Sequence, residues 1–239
     1  MKIVLAAICL LIANTAFSEA ITPALKIKQI EKGIYLHTSY MQVDGFGMVD
    51  SNGLVVLDGK DAHIIDTPWS ITDTEKLVRW INDQGYVLKD SISTHSHADR
   101  TAGIVFLNSI AIPTYASKLT NKILEQTGKE TASNTFEPNY WLVNDKIQAY
   151  FPGEGHTKDN LVIWLPQSKI LVGGCLVKSI EAKNLGYIGE ANIVDWPASI
   201  DKLIYEFKSA KLVIPGHGEV GNQSLLAHTK KLIQQSLHN

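Results

Sequence analysis

The chain has 239 residues, 45% of them hydrophobic and 19% charged, with a formal net charge of −2. That apolar share supports an ordinary globular core without a disulfide scaffold, and the length leaves room for one large domain or two small ones. A near-neutral balance with no basic cluster argues against nucleic acid and anionic membranes as partners and in favour of a small molecule.

The first stretch, "MKIVLAAICLLIANTAFSEA", reads as a secretory signal peptide over 1–18: Lys2, an apolar run over 3–12, then Ala16 and Ser18 at the cleavage site. The run falls short of the ~20 residues a membrane-spanning helix needs, and no later stretch comes closer. A soluble single domain over 19–239 is expected. Loss of the leader takes Cys9 with it and leaves Cys175 unpaired in an oxidising compartment. Such a thiol is inert and buried, bridged to another chain, nucleophilic, or bound to metal.

"GLVVLDGKDAHIID" predicts a hairpin turning at Asp58-Gly59, and "TDTEKLVRWINDQGY" a helix with a Thr72/Glu75 capping box and a stop at Gly85. "VLKDSIST" predicts a strand, then "DRTAGIVFLNSI" and "SKLTNKILEQTG" predict helices. The strands "KIQAYF", "NLVIWL" and "KILVGG" follow, the last two joined as a hairpin through 166–168. "SIDKLIYEFKSA" is an amphipathic helix, "KLVIP" a strand, and "SLLAHTKKLIQQSLH" a closing helix. Both halves run from hairpin to strands interleaved with helices, which favours an α/β layered fold.

The chemistry concentrates in "STHSHADRTAG", where His95, His97 and Asp99 alternate. An extended loop between strand and helix aims such a triplet at one point, whereas a regular helix would splay the two histidines. Three later turns repeat the grammar of a donor beside glycine at the end of an apolar run: His156 in "FPGEGHTKDN", Cys175 in "ILVGGCLV" and His217 in "LVIPGHGEV". Six donors exceed what one structural zinc holds. They suit two zinc ions, each with three protein ligands and an open position for water. The mixture of imidazole, carboxylate and one thiolate selects zinc over magnesium or calcium.

These turns, together with "IIDTP", "IPTYAS", "NYWLV" and "DNLVIWLP", resemble the subclass B1 metallo-β-lactamases, with wording nearest the imipenemase-like branch, over essentially the whole mature chain. The resemblance implies an α/β fold, a four-layer αβ/βα sandwich with its active site at the edge between two pseudo-symmetric halves. It implies that His95, His97 and His156 hold a first Zn2+ and Asp99, Cys175 and His217 a second, with Asp99 also available for proton transfer. The implied function is hydrolysis of the β-lactam amide of penicillins, cephalosporins and carbapenems by metal-bound hydroxide, giving antibiotic resistance from the periplasm. Nothing in the sequence indicates an oligomer, so a monomer is expected.

The same resemblance places Lys178 against the drug's carboxylate. It puts Phe46 at the tip of a covering hairpin, "SYMQVDGFGMVD", and Trp69 in the wall of the site. Tyr187 and Asn192 come from the loop "LGYIGEAN", with Tyr187 where many members have an asparagine that helps bind the carbonyl oxygen. Asp66 and Arg100 are implied to sit behind the ligands and orient them. His37, His63, His228 and His238 have no such context and are read as structural or surface residues.

Two alternatives are weighed. A thioesterase or lactonase of the superfamily would carry HxHxDH, with a bridging aspartate; here Arg100 stands in place of the last histidine and Cys175 in place of the aspartate. A secreted zinc-binding protein without catalysis would have closed coordination and no use for Lys178 beside the metals.

Overall fold

The structure is a computed structural model that describes residues 22–237, so the leader expected over 1–18, Cys9 and His238 lie outside the described residues. Two sheets form its centre. The first holds seven strands in sequential order: β1 (Lys26–Glu31), β2 (Ile34–Val43), β3 (Gly47–Asp58), β4 (Asp61–Ile65), β5 (Val87–Ile92), β6 (Thr114–Ser117) and β7 (Asn134–Phe136). The second runs β12 (Leu212–Pro215), β11 (Ile170–Gly174), β10 (Val162–Leu165), β9 (Ile147–Tyr150), β8 (Tyr140–Val143). Each sheet starts with antiparallel neighbours and ends in parallel strands: β4 through β7 in the first, β11 and β12 in the second. The parallel strands are reached through helices, namely α1 (Ile71–Asp83), α2 (Ala98–Thr101), α3 (Ile104–Ser109) and α4 (Lys118–Gln126) in the first half and α5 (Trp196–Glu206) in the second, with α6 (Ser224–Leu237) closing the chain.

Alternation along the strands sets the layers. Leu54 and Val56 of β3 and Ile163 and Leu165 of β10 share one buried cluster with Ile170, Val172 and Ile214, which is the core between the sheets. The residues between them point the other way. Val55, with Ala62 and Ile64 of β4, packs on Leu77 and Ile81 of α1 and Leu107 of α3. Val162, Leu171 and Val213 pack on Ile200 and Leu203 of α5 and on Leu226 and Ile233 of α6. Strands apolar on both faces read as continuous runs, and sheets covered on both sides are the reason. The result is the four-layer αβ/βα sandwich, and among the described residues no helix is long and apolar enough to cross a membrane.

Three local expectations shift. The hairpin between β3 and β4 turns at Gly59-Lys60, with Asp58 and Asp61 paired and Gly59 at φ 63°. Helix α1 is capped by Ser70, whose hydroxyl accepts from the Asp73 amide, two residues ahead of the Thr72/Glu75 box. The helix expected over 99–110 breaks into α2 and α3. A Cβ at Gly103 would lie 2.4 Å from Thr74 Oγ1, so the glycine is where this segment passes against α1. Strands β1, β6, β7 and β8 carry little signal; β7 is three residues long, and β1 turns only Ile27 and Ile30 toward partly buried positions.

Candidate metal centre and cleft

All six donors come together at one edge of the sandwich, five from loops and one from the start of a helix. His95 and His97 lie on the loop leaving β5 and Asp99 in the first turn of α2, as the alternating triplet predicted. His156 lies between β9 and β10, Cys175 directly follows β11, and His217 lies two residues past β12. A Cβ at Gly216 would meet Cys175 Sγ at 2.7 Å, so only glycine allows these last two loops to close on each other.

The donors form two trios. His97 Nδ1 faces His156 Nε2 at 3.2 Å, and the His95 ring stands edge-on to both, with centroids 4.8 and 5.1 Å away. Cys175 Sγ lies 3.2 Å from Asp99 Oδ2 and 3.2 Å from His217 Nε2, and the latter two are 3.4 Å apart. His95, Asp99 and Cys175 each also offer one donor atom within 4.8 Å of the others, so the trios adjoin.

The electrostatics fit a metal. Burial holds His95 and His156 well below the ordinary histidine pKa, leaving neutral rings with a free lone pair. His95 Nε2 is buried without a hydrogen-bond partner among the described residues. Its Nδ1 faces Thr94 Oγ1 at 3.3 Å, and that hydroxyl donates to Asp66 Oδ2 at 3.0 Å. This relay places the proton on Nδ1 and turns the Nε2 lone pair toward the other two histidines. Burial opposes ionisation of Asp99, but Arg100 and then His217 and His95 outweigh it and hold the carboxyl well below its usual range. Burial pushes the Cys175 thiol up. A cation bound there would reverse that and make the thiolate.

Asp66 and Arg100 sit behind the donors. Arg100 is fully buried and donates to Asp99 Oδ2, to Cys175 Sγ at 3.2 Å, to the Gly216 carbonyl at 2.9 Å and to the Asn52 carbonyl. Asp66, at φ 57°, accepts from the Thr94 amide at 2.7 Å, and burial raises its pKa to about 6.

The trios open onto a cleft of about 610 Å³ lined also by Phe46, Trp69, Lys178 and Tyr187. Phe46 is 55% exposed on the β2–β3 turn, the Trp69 ring lies 6.0 Å from His217, and Tyr187 stands edge-on to His97 at 5.8 Å. Lys178 is buried to 8% exposure, its ammonium 5.4 Å above the Trp196 ring, and it makes no ion pair among the described residues. Asn192 differs from its expected place. Its amide donates to Glu154 and Asp195, both at 2.8 Å, and it does not line the cleft, so it ties down the base of its loop and has no free donor for a ligand.

No protein-family profile matches the chain. It is 48% identical over 229 residues to a metallo-β-lactamase type 2 from Pseudomonas aeruginosa, covering 95% of this chain and 92% of that protein. The chain belongs to the metallo-β-lactamase family. Other relatives agree: a metallo-β-lactamase type 2 from Bacillus cereus is 36% identical across 89% of this chain and 84% of its own length. A crystal structure of the DIM-1 metallo-β-lactamase exposed to ceftazidime superposes with a TM-score of 0.89 at 50% identity, covering 90% of this chain and 99% of that one. A TMB-1 structure gives 0.88 at 53% identity with the same coverage. This metallo-β-lactamase is of the B1 type and is a β-lactam hydrolase of a family that implies zinc.

Behind the first trio, two residues of this metallo-β-lactamase were not legible in the sequence. Glu190 Oε2 lies 3.0 Å from His97 Nε2, behind the nitrogen that faces His156. Thr94 links Asp66 to His95. Glu190 stood in the quoted loop "LGYIGEAN", but its partner is 93 residues away in sequence.

Proposed function

We propose that His95, His97 and His156 hold one zinc ion and Asp99, Cys175 and His217 a second, and that the pair serves hydrolysis of penicillins, cephalosporins and carbapenems. The observation that carries this reading is the adjacency of two three-donor groups, five of whose six residues line a cleft that also holds a buried lysine with no ion pair among the described residues. Zinc bound there supplies a nucleophile at neutral pH and a Lewis acid for the amide.

The chain's own residues do the rest. Lys178 receives the substrate's carboxylate, since a desolvated ammonium with no anionic partner among the described residues gains most from one. Trp69 and Phe46 give the bicyclic nucleus apolar surface. Asp99, held ionised, can accept a proton at its carboxylate while Arg100 keeps it in place. Tyr187 offers a hydroxyl in place of a side-chain amide at the cleft edge. The reading extends to cleavage of a leader over 1–18, a mature domain over 19–239, action in the periplasm as a monomer, and antibiotic resistance.

The test is zinc content and cephalosporin hydrolysis of the mature protein with and without a chelator, alongside Cys175→Ser. Two equivalents of zinc, loss of turnover on chelation and a large loss in the variant are expected. Ring opening that survives removal of the metal would overturn the proposal.

A further inference from the structure

The loop that carries His217 extends from the second sheet, yet the first sheet holds it. From β3, the Asp50 carbonyl accepts from His217 Nδ1 at 2.5 Å, and Asp50 Oδ2 accepts from the Gly218 amide at 2.7 Å. Two residues along the same strand face, the Asn52 amide nitrogen of the main chain donates to the Gly216 carbonyl at 2.9 Å, and its side chain donates to the Gly218 carbonyl at 2.8 Å and to that of Pro215 at 3.2 Å. The loop is therefore held on both sides of His217.

The two bonds from Asp50 do different things. The carbonyl fixes the proton on Nδ1 and leaves the Nε2 lone pair facing Cys175 Sγ and Asp99 Oδ2. Any residue at 50 supplies that carbonyl. The carboxylate is particular to this side chain: it holds the peptide after His217 at Gly218, where φ is 79° and the chain turns sharply. A charge-assisted bond to a main-chain amide is about twice as strong as a neutral one. Lost, it would free the loop to carry the imidazole away from its partners.

We infer that Asp50 is a positioning residue for the second trio, its carboxylate setting the affinity of that trio for zinc by fixing the loop of His217. The inference rests on the two-zinc reading. The test is a titration of the metal-free protein with zinc against a chromophoric chelator, which resolves two dissociation constants in the parent. Asp50→Ala is expected to weaken the second by roughly 10- to 100-fold and leave the first unchanged, the range seen when such an outer partner is removed. Asp50→Asn keeps an oxygen for the Gly218 amide and is expected to recover most of the loss.

In the metal-free protein, the His217 ring proton should exchange faster in Asp50→Ala by NMR. If the parent binds only one equivalent, the two-zinc reading fails and the inference falls with it. If the parent binds two and Asp50→Ala weakens neither, or both alike, the inference alone is wrong. Equal losses in the alanine and asparagine variants would also overturn it, because they would assign the effect to charge rather than to the held amide.

Discussion

Arg100 donates to a single oxygen of Asp99 from both Nε and Nη2, at 3.1 and 2.8 Å, and neither side chain is more than 5% exposed. The same guanidinium reaches Cys175 and the Gly216 carbonyl, so it links the loops after β5, β11 and β12. Arg100→Ala would strand two buried carboxylates, Asp99 and also Asp66, whose Oδ2 lies 3.4 Å from Arg100 Nη1, without their cation. Breaking a buried pair from one side costs about 3–5 kcal/mol. Urea unfolding of the metal-free protein should show that loss, and Arg100→Lys should recover little of it because an ammonium cannot span five acceptors. A loss below about 1 kcal/mol would mean that the carboxylates are neutral in the folded state.

Lys178→Ala should raise KM for carboxylate-bearing β-lactams by roughly 10- to 100-fold, the weight of one charge-assisted bond at about 1.5–3 kcal/mol. The effect on kcat should be smaller, since the carboxylate lies away from the bond that breaks. Steady-state kinetics on a cephalosporin separate the two. An unchanged KM would return Lys178 to a packing role over Trp196.

The layers and the donors were legible because both rest on periodicity and residue chemistry. Apolar runs such as "VIWL" announced strands covered on both faces, and a donor beside glycine at a strand end announced the site. The support behind the donors was not legible. Glu190 reaches His97 across 93 residues, and Asp50 reaches Gly218 across 168, as ordinary carboxylates with no local pattern to mark them. Asn192 was not legible for a related reason: two carboxylates, Glu154 and Asp195, occupy its amide.

His37 is buried against Gly53, where a Cβ would come within 2.4 Å of its ring. The ring approaches the Asp66 and Ile65 backbone, yet neither nitrogen completes a hydrogen bond among the described residues. Burial lowers its pKa to about 3. The unfolded chain therefore binds a proton that the folded chain refuses between pH 6.5 and about 3, and stability falls as pH falls through that window. The part due to His37 should reach about 2 kcal/mol between pH 7 and pH 5, at about 1.4 kcal/mol per unit below the unfolded pKa. Urea midpoints of the metal-free parent and His37→Gln at both pH values isolate it from the other buried histidines. An identical pH slope in the two proteins would show that His37 stays protonated or exposed.

Glu190 braces the first trio as Asp50 braces the second. Its carboxylate accepts from His97 Nε2 at 3.0 Å, which leaves His97 Nδ1 as the lone pair beside His156. Because the Glu190 side chain is 54% exposed, its hold is screened, and Glu190→Ala should weaken the first zinc constant by only about tenfold, the lower end for such partners. Zinc titration checks it, with Glu190→Gln expected to fall between parent and alanine. Combined with Asp50→Ala, the losses should add, because each acts on its own trio. A coupling above about 1 kcal/mol would show instead that His95, which has donor atoms within reach of both trios, transmits strain from one to the other.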